Sequence, residues 1–282
     1  MANNKVNNVV KKTIAYVALI IFGLMMMLPF FWMVSTSFKP FNEIFIPGLK
    51  LIPKHPTFNN YKELFQVTRY TNLPLGFLNS LITVIPTVII GVFTAALAAF
   101  GFCRMNFPGR DKIFYILICT VAIPGVVTMI PTYILFTKIK WIDSWLPLMI
   151  PGMFGSAMNV FLIRQFMRGI PKDLDEAAKV DGMSQFGIFI RIILPLSKPI
   201  IITTLLFGFI GGYNDYMGPL MYIRSTDKFT LQLALSAMKD TFGTKHGTLM
   251  AGSTIALVPI IIIFFVAQKF FIEGISISGM KN

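Results

Sequence analysis

The residues able to do chemistry in this 282-residue chain are few, and they cluster. Asp and Glu together number only twelve, and their one dense group is Asp173, Asp175, Glu176 and Asp181. Carboxylates this close could hold a metal–diphosphate substrate, but such a site needs a second Asp-rich cluster, and the sequence has none. His55 and His246 have no second His, Cys or carboxylate at metal-ligand spacing and read as surface residues. Cys103 and Cys119 lie next to or inside apolar runs and read as small apolar fillers. No Gly-x-x-x-x-Gly-Lys-Ser/Thr loop is present, so the usual phosphate cradle is missing. A second polar group, Tyr213, Asn214, Asp215 and Tyr216, interrupts an apolar run. Its rings and hydroxyls suit stacking on sugar faces and bonding to their hydroxyls. Its carboxylate is costly in lipid and must face protein, water or the interface. An interfacial aromatic belt with a helix-end carboxylate explains the same four residues.

The elements that position the acidic cluster follow from local pattern. Pro171 suits a first helical position, and Asp173, Asp175 and Glu176 place negative charge where the helix dipole favours it. Leu174, Ala177, Ala178 and Asp181 fall at i, i+3, i+4 and i+7, which predicts one shared, nearly flat face. Gly182 reads as a C-cap that turns the chain, and Ser184 as the cap of a second helix. Phe186, Phe189, Ile190 and Ile193 form a bulky stripe on that second helix, with Pro195 as its stop. The segment is thus a helix, a Gly turn and a helix. On periodicity alone, an amphipathic hairpin that merely links two membrane spans remains open.

Composition sets the frame. Hydrophobic residues make up 55% and charged residues 13%, about half the charge of a soluble domain, and mean hydropathy is +0.71. A disordered chain and an ordinary soluble enzyme are excluded. About 20 apolar residues cross a bilayer core as helix, and six such runs are present: Thr13–Val34, Gly76–Phe102, Ile113–Phe136, Leu146–Ile163, Pro199–Tyr222 and Thr248–Ile272. The expected fold is an all-α membrane protein with six transmembrane helices and the hairpin between spans four and five. The expected organisation is residues 1–12 as N-terminus, 13–272 as the membrane domain with the loop 164–198, and 273–282 as tail. Small residues at four-residue spacing, Gly91, Ala95 and Ala99 and again Gly208 and Gly212, permit close helix packing with a partner in this chain or another. If span five runs unbroken from Pro199, Asp215 lies about 24 Å along it, near the far leaflet.

The net charge of +13 points to topology rather than nucleic acid in a chain this apolar. With the N-terminus cytoplasmic, fourteen of the 25 basic residues fall on inside segments, densely so in Cys103–Lys112. Both termini are therefore expected in the cytoplasm. The stretch Ser35–Leu75 is Pro-rich and expected to be irregular, with a short helix near Asn59–Phe65. Lys39, Lys50, Lys54, Arg224 and Lys228 in the outside loops suit either an acidic solute or a solvated surface.

Glu176-Ala177-Ala178-x-x-Asp181-Gly182, followed after nine residues by Ile192-x-Leu194-Pro195, resembles the EAA signature of ABC importer permeases. Phe209–Leu220 and the C-terminal Gln268–Asn282 are similar to carbohydrate permeases of the maltose type, which usually carry Trp where this chain has Tyr213. The resemblance, to the smaller six-span subunit, extends over most of the chain. It implies a hairpin docked as a coupling helix on a cytosolic ATPase, with Leu174, Glu176, Ala177, Ala178, Asp181, Gly182, Phe186, Ile192, Leu194 and Pro195 at or behind the contact. It implies a second permease subunit, two ATPase subunits that bind ATP and Mg, and an extracellular solute-binding protein. The chain itself would hold no metal or cofactor, catalyse no reaction, and lie in the bacterial cytoplasmic membrane. The implied cargo is a sugar or oligosaccharide, with a peptide, polyamine or ion as the alternative. A lipid-modifying enzyme or a passive channel fits the same composition less well.

Overall fold

The computed structural model describes residues 2–48, 50–66, 72–241 and 246–279. Met280–Asn282 of the expected tail, Leu49 and residues 67–71 and 242–245 of the connecting stretches lie outside them. Every regular element among the described residues is helical: α1 (Ala2–Ser37), α2 (Phe41–Ile44), α3 (Asn59–Leu64), α4 (Leu73–Arg104), α5 (Arg110–Cys119), α6 (Gly125–Lys138), α7 (Leu146–Met153), α8 (Ala157–Met167), α9 (Asp173–Val180), α10 (Gln185–Ile188), α11 (Leu194–Leu196), α12 (Lys198–Tyr213), α13 (Met217–Tyr222), α14 (Leu231–Thr241) and α15 (His246–Gly279).

Four stretches are long and apolar enough to cross a membrane: Val10–Ser37, Leu73–Arg104, Leu146–Met167 and His246–Gln268. Two further pairs qualify together but are bent, α5–α6 by 96° and α10–α11 with α12 by 78°. Counting each bent pair as one span gives up to six, the expected number, but the second pair takes in α10 and α11 of the expected loop and ends at Tyr213 rather than Tyr222. The third run is not one helix, because Pro124 holds an extended backbone (φ −61°, ψ 132°) between Ala122 and α6. A proline at that point removes a helical donor and its ring blocks the turn before it. The fourth run is interrupted at Phe154–Ser156, where Gly155 takes φ +78° and Ser156 accepts the Asn159 N–H to start α8.

α4 is the central post. Asn72 caps it by accepting the Leu75 N–H, and it packs on α7, α8, α12 and α14. The small-residue rows lie at these contacts, within this chain. A Cβ on Gly91 would sit 2.3 Å from the Gly152 carbonyl oxygen, and Gly208 and Gly212 rest against Val88 and Val84. Without side chains to hold them apart, backbones approach closely and gain dispersion contacts along their length. One apolar cluster surrounds the C-terminal half of α4 with Ile163, Met167, Ile188, Phe189 and Ile193. A second surrounds its N-terminal half with Leu64, Phe209, Tyr213, Leu231 and Leu235. The outward faces remain apolar, with Leu19, Phe22, Met25, Met26, Ile116, Val126 and Phe265 all exposed. Such a surface is stable only against lipid or other protein.

Candidate functional site

The hairpin forms as the sequence pattern requires. α9 carries Asp173, Asp175 and Glu176 in its first turns. It starts at Asp173 rather than at Pro171, which lies just outside with Lys172 as the cap position. Gly182 takes φ +78°, its N–H bonds the Lys179 carbonyl, and the Met183 N–H bonds the Ala178 carbonyl. That is a Schellman turn, which needs a left-handed residue where Gly stands. Ser184 accepts the Gly187 N–H and caps α10.

Two details differ from the sequence-based expectation. Ala178 does not share an outward face with Leu174, Ala177 and Asp181. It is buried beside Asp175, because α9 lays its 175/178 row against the bundle. Nor does Pro195 end the second helix. α10 passes into a π-helical turn, Phe189–Ile193, and the helix stops only after Leu196. Pro195 lies within this continuing helix, where it has no N–H to donate, and the widened turn before it accommodates the ring.

The outward surface is mixed. Leu174, Glu176, Ala177, Asp181 and Gly182 are exposed, and Val180 and Phe186 stand out at 88% and 59% exposure. Beside the turn, a recess of about 610 Å3 is lined by Asp181, Met183, Ser184, Phe186, Ile190 and Arg191. Behind it, Ile192 and Leu194 are half-buried and Phe189 and Ile193 fully so. An exposed apolar pair flanked by charge thus stands on a hairpin rooted in the core.

What anchors α9 is absent from the sequence-level reading. Arg104, the last residue of α4, places Nε 3.1 Å from Asp175 Oδ2, with both side chains nearly buried, and donates from Nη2 to the Ile170 carbonyl at 2.8 Å. Asp175 reads locally as a dipole charge and Arg104 as a topology charge. No local spacing joins two residues so far apart in sequence. Val180 did carry a signal, being an apolar β-branched residue between Lys179 and Asp181.

The second predicted group lies at the other end of α4. α12 ends at Tyr213, so Asp215 is not inside a continuous fifth span. Asn214 turns back to the Ile210 carbonyl, and Asp215 Oδ1 accepts the Gly218 N–H to open α13. These two short polar side chains satisfy the backbone at the break, which is what stops the helix there. Tyr213 is buried at 1% exposure and packs on Phe209 and Phe77. Asn214, Asp215 and Tyr216 are exposed. Gln232 donates to Asn214 Oδ1 at 3.2 Å and Ser236 to the Tyr216 hydroxyl at 3.2 Å. Gln232 and Ser236 complete a polar cluster that sequence reasoning missed, although they lie at i and i+4 on one face of α14.

The loop cations at this end are mostly engaged. Lys39 is 2% exposed, donates to the Lys50 carbonyl and lies 4.3 Å from the Trp32 ring centroid. Burial pushes its ammonium below the ordinary lysine value, partly offset by Glu43. Lys228 pairs with Asp143 at 3.4 Å, and Arg224 donates to the Tyr133 hydroxyl. His55 is exposed, while His246 is half-buried with its ring against Phe45. Among the described residues, no three His, Cys, Asp or Glu converge as a metal site.

The sequence pattern of the family described as binding-protein-dependent transport system inner membrane component matches residues 87–277. The chain belongs to this family. The permease is 34% identical to the arabinooligosaccharides transport system permease protein AraQ of Bacillus subtilis (strain 168), over 94% of this chain and 96% of that one. It is 31% identical to the galactooligosaccharides transport system permease protein GanQ of the same organism, over the full length of both. Its fold matches a chain of a bacterial ABC transporter involved in import of the acidic polysaccharide alginate, with TM-score 0.82 and 21% identity over 93% and 96% of the two chains. The permease therefore presents an exposed hairpin at one end of its bundle and a polar break at the other.

Proposed function

We propose that the permease is one membrane subunit of an ATP-driven importer that carries an oligosaccharide across the bacterial cytoplasmic membrane by alternating access. The observation that carries this reading is the exposed α9–α10 hairpin, with Glu176-Ala177-Ala178 and the left-handed Gly182, in a chain whose full-length relatives are named for oligosaccharide transport. In this reading both termini and the hairpin face the cytoplasm. A second permease pairs with this one, two ATPase subunits bind ATP and Mg, and an extracellular binding protein delivers the solute.

The hairpin is then the coupling element. Leu174, Ala177, Val180, Asp181 and Phe186 enter a cleft on one ATPase. Glu176 and Gly182 set the helix and its turn. Ala178 and Asp175 seat α9 on the bundle. Ile192, Leu194 and Pro195 carry displacement through the π-helical turn into α12. At the far end, Asn214, Asp215 and Tyr216 with Gln232 and Ser236 offer the solute hydroxyl-bonding groups, and Tyr213 stiffens them from behind. The solute shifts the equilibrium between inward and outward forms only through its different affinity for the two.

The test is Glu176→Arg combined with Gly182→Pro in the assembled transporter. A positive charge on the docking face and a ring at a left-handed position both oppose the fit. The expected result is uptake of labelled oligosaccharide at background, with ATP hydrolysis no longer stimulated by the loaded binding protein, while the chain still reaches the membrane. Undiminished uptake would remove the docking role. Competition by arabino- and galacto-oligosaccharides but not by peptides or polyamines is the outcome expected for the cargo.

A further inference from the structure

We infer that the basic cavity where α4, α5 and α8 meet binds the phosphate of an anionic lipid headgroup. The cavity has a volume of about 500 Å3 and is lined by Arg104, Arg110, Arg164, Arg168 and Lys172, with Asp111 as its one carboxylate. Its position follows from the helix ends. α4 finishes at Arg104, the Leu146–Met167 span finishes just before Arg168, and α5 begins at Arg110. Two membrane-crossing helices and the start of the bent α5–α6 pair therefore meet at the cavity, which puts it at headgroup depth.

Charge and wall chemistry specify the occupant. Arg104 is held by Asp175 and the Ile170 carbonyl. Arg110 is held by Asp111. The Arg164 guanidinium lies 3.9 Å from the Phe114 ring centroid, 3.7 Å from Asp111 and donates to the Phe102 carbonyl. Arg168 and Lys172 make no ion pair among the described residues. Counting Asp111 and Asp175 against the five cations leaves three positive charges facing one opening. Arg forks match phosphate oxygens geometrically, and Lys adds a mobile ammonium.

The same opening borders an apolar wall. Phe114 floors it, and Ile113, Tyr115 and Ile116 continue the exposed face of α5 away from the charge. A headgroup that enters among the cations lays its acyl chains along that wall. A free phosphate has the same oxygens but no use for the wall, and an acidic protein segment would leave Tyr115 and Ile116 uncovered. Basic pockets between membrane helices near the bilayer surface bind anionic headgroups for these reasons. The inference is independent of which solute is carried.

The experiment uses the transporter containing the full chain, purified in detergent and exchanged into nanodiscs of phosphatidylcholine with a trace of labelled phosphatidylglycerol. Wild type is expected to retain phosphatidylglycerol through delipidation in preference to phosphatidylcholine. Arg168→Gln with Lys172→Gln is expected to weaken that retention about 25-fold, taking about fivefold per cation. Both side chains are exposed and unpaired, so the fold is not at stake, and an unchanged melting temperature checks this. Lys138→Gln, at the far end of the α5–α6 pair, is expected to leave retention unchanged. Equal loss in Lys138→Gln, or no loss in the double variant, overturns the site. Displacement of the lipid by millimolar inorganic phosphate overturns the lipid as occupant in favour of the free ion. Loss of a co-purifying subunit with lipid retention unchanged overturns it in favour of a protein contact.

Discussion

At the scale of single residues, the Arg104–Asp175 pair decides whether α9 is held or loose. Two nearly buried charges 3.1 Å apart contribute little net stability when intact, but removing one strands the other. Asp175→Ala is expected to cost about 3–5 kcal/mol, read as a lowered melting temperature in detergent. Arg104→Met with Asp175→Leu should recover most of that loss, since no buried charge then remains. If Asp175→Ala melts with wild type, the pair does not anchor α9. A second residue-scale prediction concerns Asp143, which binds the loop after α6 to the loop after α13. It accepts from the Ser225 hydroxyl and from the Ser225 and Arg224 backbone N–H groups, with Lys228 alongside. These hold its carboxyl well below the ordinary value of 3.8, against the opposing effect of burial. A depressed folded-state value means the stabilisation is complete above about pH 4 and is lost as pH falls through the folded value. The melting difference between wild type and Asp143→Asn should therefore be full at neutral pH and shrink steadily below about pH 4. A constant difference across that window would place its origin elsewhere. Neither pair was legible in the sequence. Each joins residues from distant segments, and a charge read locally gives only a helix-end preference or a topology bias.

At the scale of elements, what was readable was what the chain settles locally. The α9 turn needs one left-handed residue and has Gly182; the α10 start needs an oxygen acceptor and has Ser184. Five apolar runs gave the membrane elements within a few residues of their ends, because run length against bilayer thickness is a strong constraint, while the fifth, Pro199–Tyr222, overran α12 by nine residues. What was not readable was where the runs break. Pro124, Gly155 and Asn214 interrupt their runs, yet α4, α6, α7 and α15 continue through Pro86, Pro131, Pro151 and Pro259. Neighbouring helices determine which breaker breaks, since they supply or withhold partners for the freed backbone groups. The glycine rows were visible, but their partners were not. They bring α4 onto α7 and α12, so Gly91→Val forces a side chain into the Gly152 carbonyl. Overpacking of that kind costs typically about 1–3 kcal/mol, and here backbone must move. The expected result is a destabilised chain with impaired uptake, whereas Gly101→Val, with open space around it, should behave as wild type in the same melt.

At the scale of the whole molecule, the two ends of α4 carry different machinery, and sidedness follows from which end bears the hairpin. The end with Arg104, Arg110, Arg164, Arg168 and Lys172 is dense in cations set close against the helix ends. The other end has Lys39, Lys228 and Arg224 tied into loop contacts. Lys and Arg near span ends resist translocation, so the hairpin end is expected to remain in the cytoplasm. Val180 and Lys140 report on opposite ends, since both are exposed and one tops the hairpin while the other follows α6. In a background with Cys103 and Cys119 replaced by Ser, Val180→Cys should react with a membrane-impermeant maleimide in inside-out vesicles but not in intact cells, and Lys140→Cys the reverse. Co-assembly with the ATPase subunits should shield Val180→Cys, because the most exposed apolar side chain of the hairpin lies where docking would cover it. Labelling of Val180→Cys from outside the cell would invert the molecule. The hairpin would then face the solute-binding protein instead of the ATPase, and a motor on the cytoplasmic side could reach α12 only through the opposite end of the bundle.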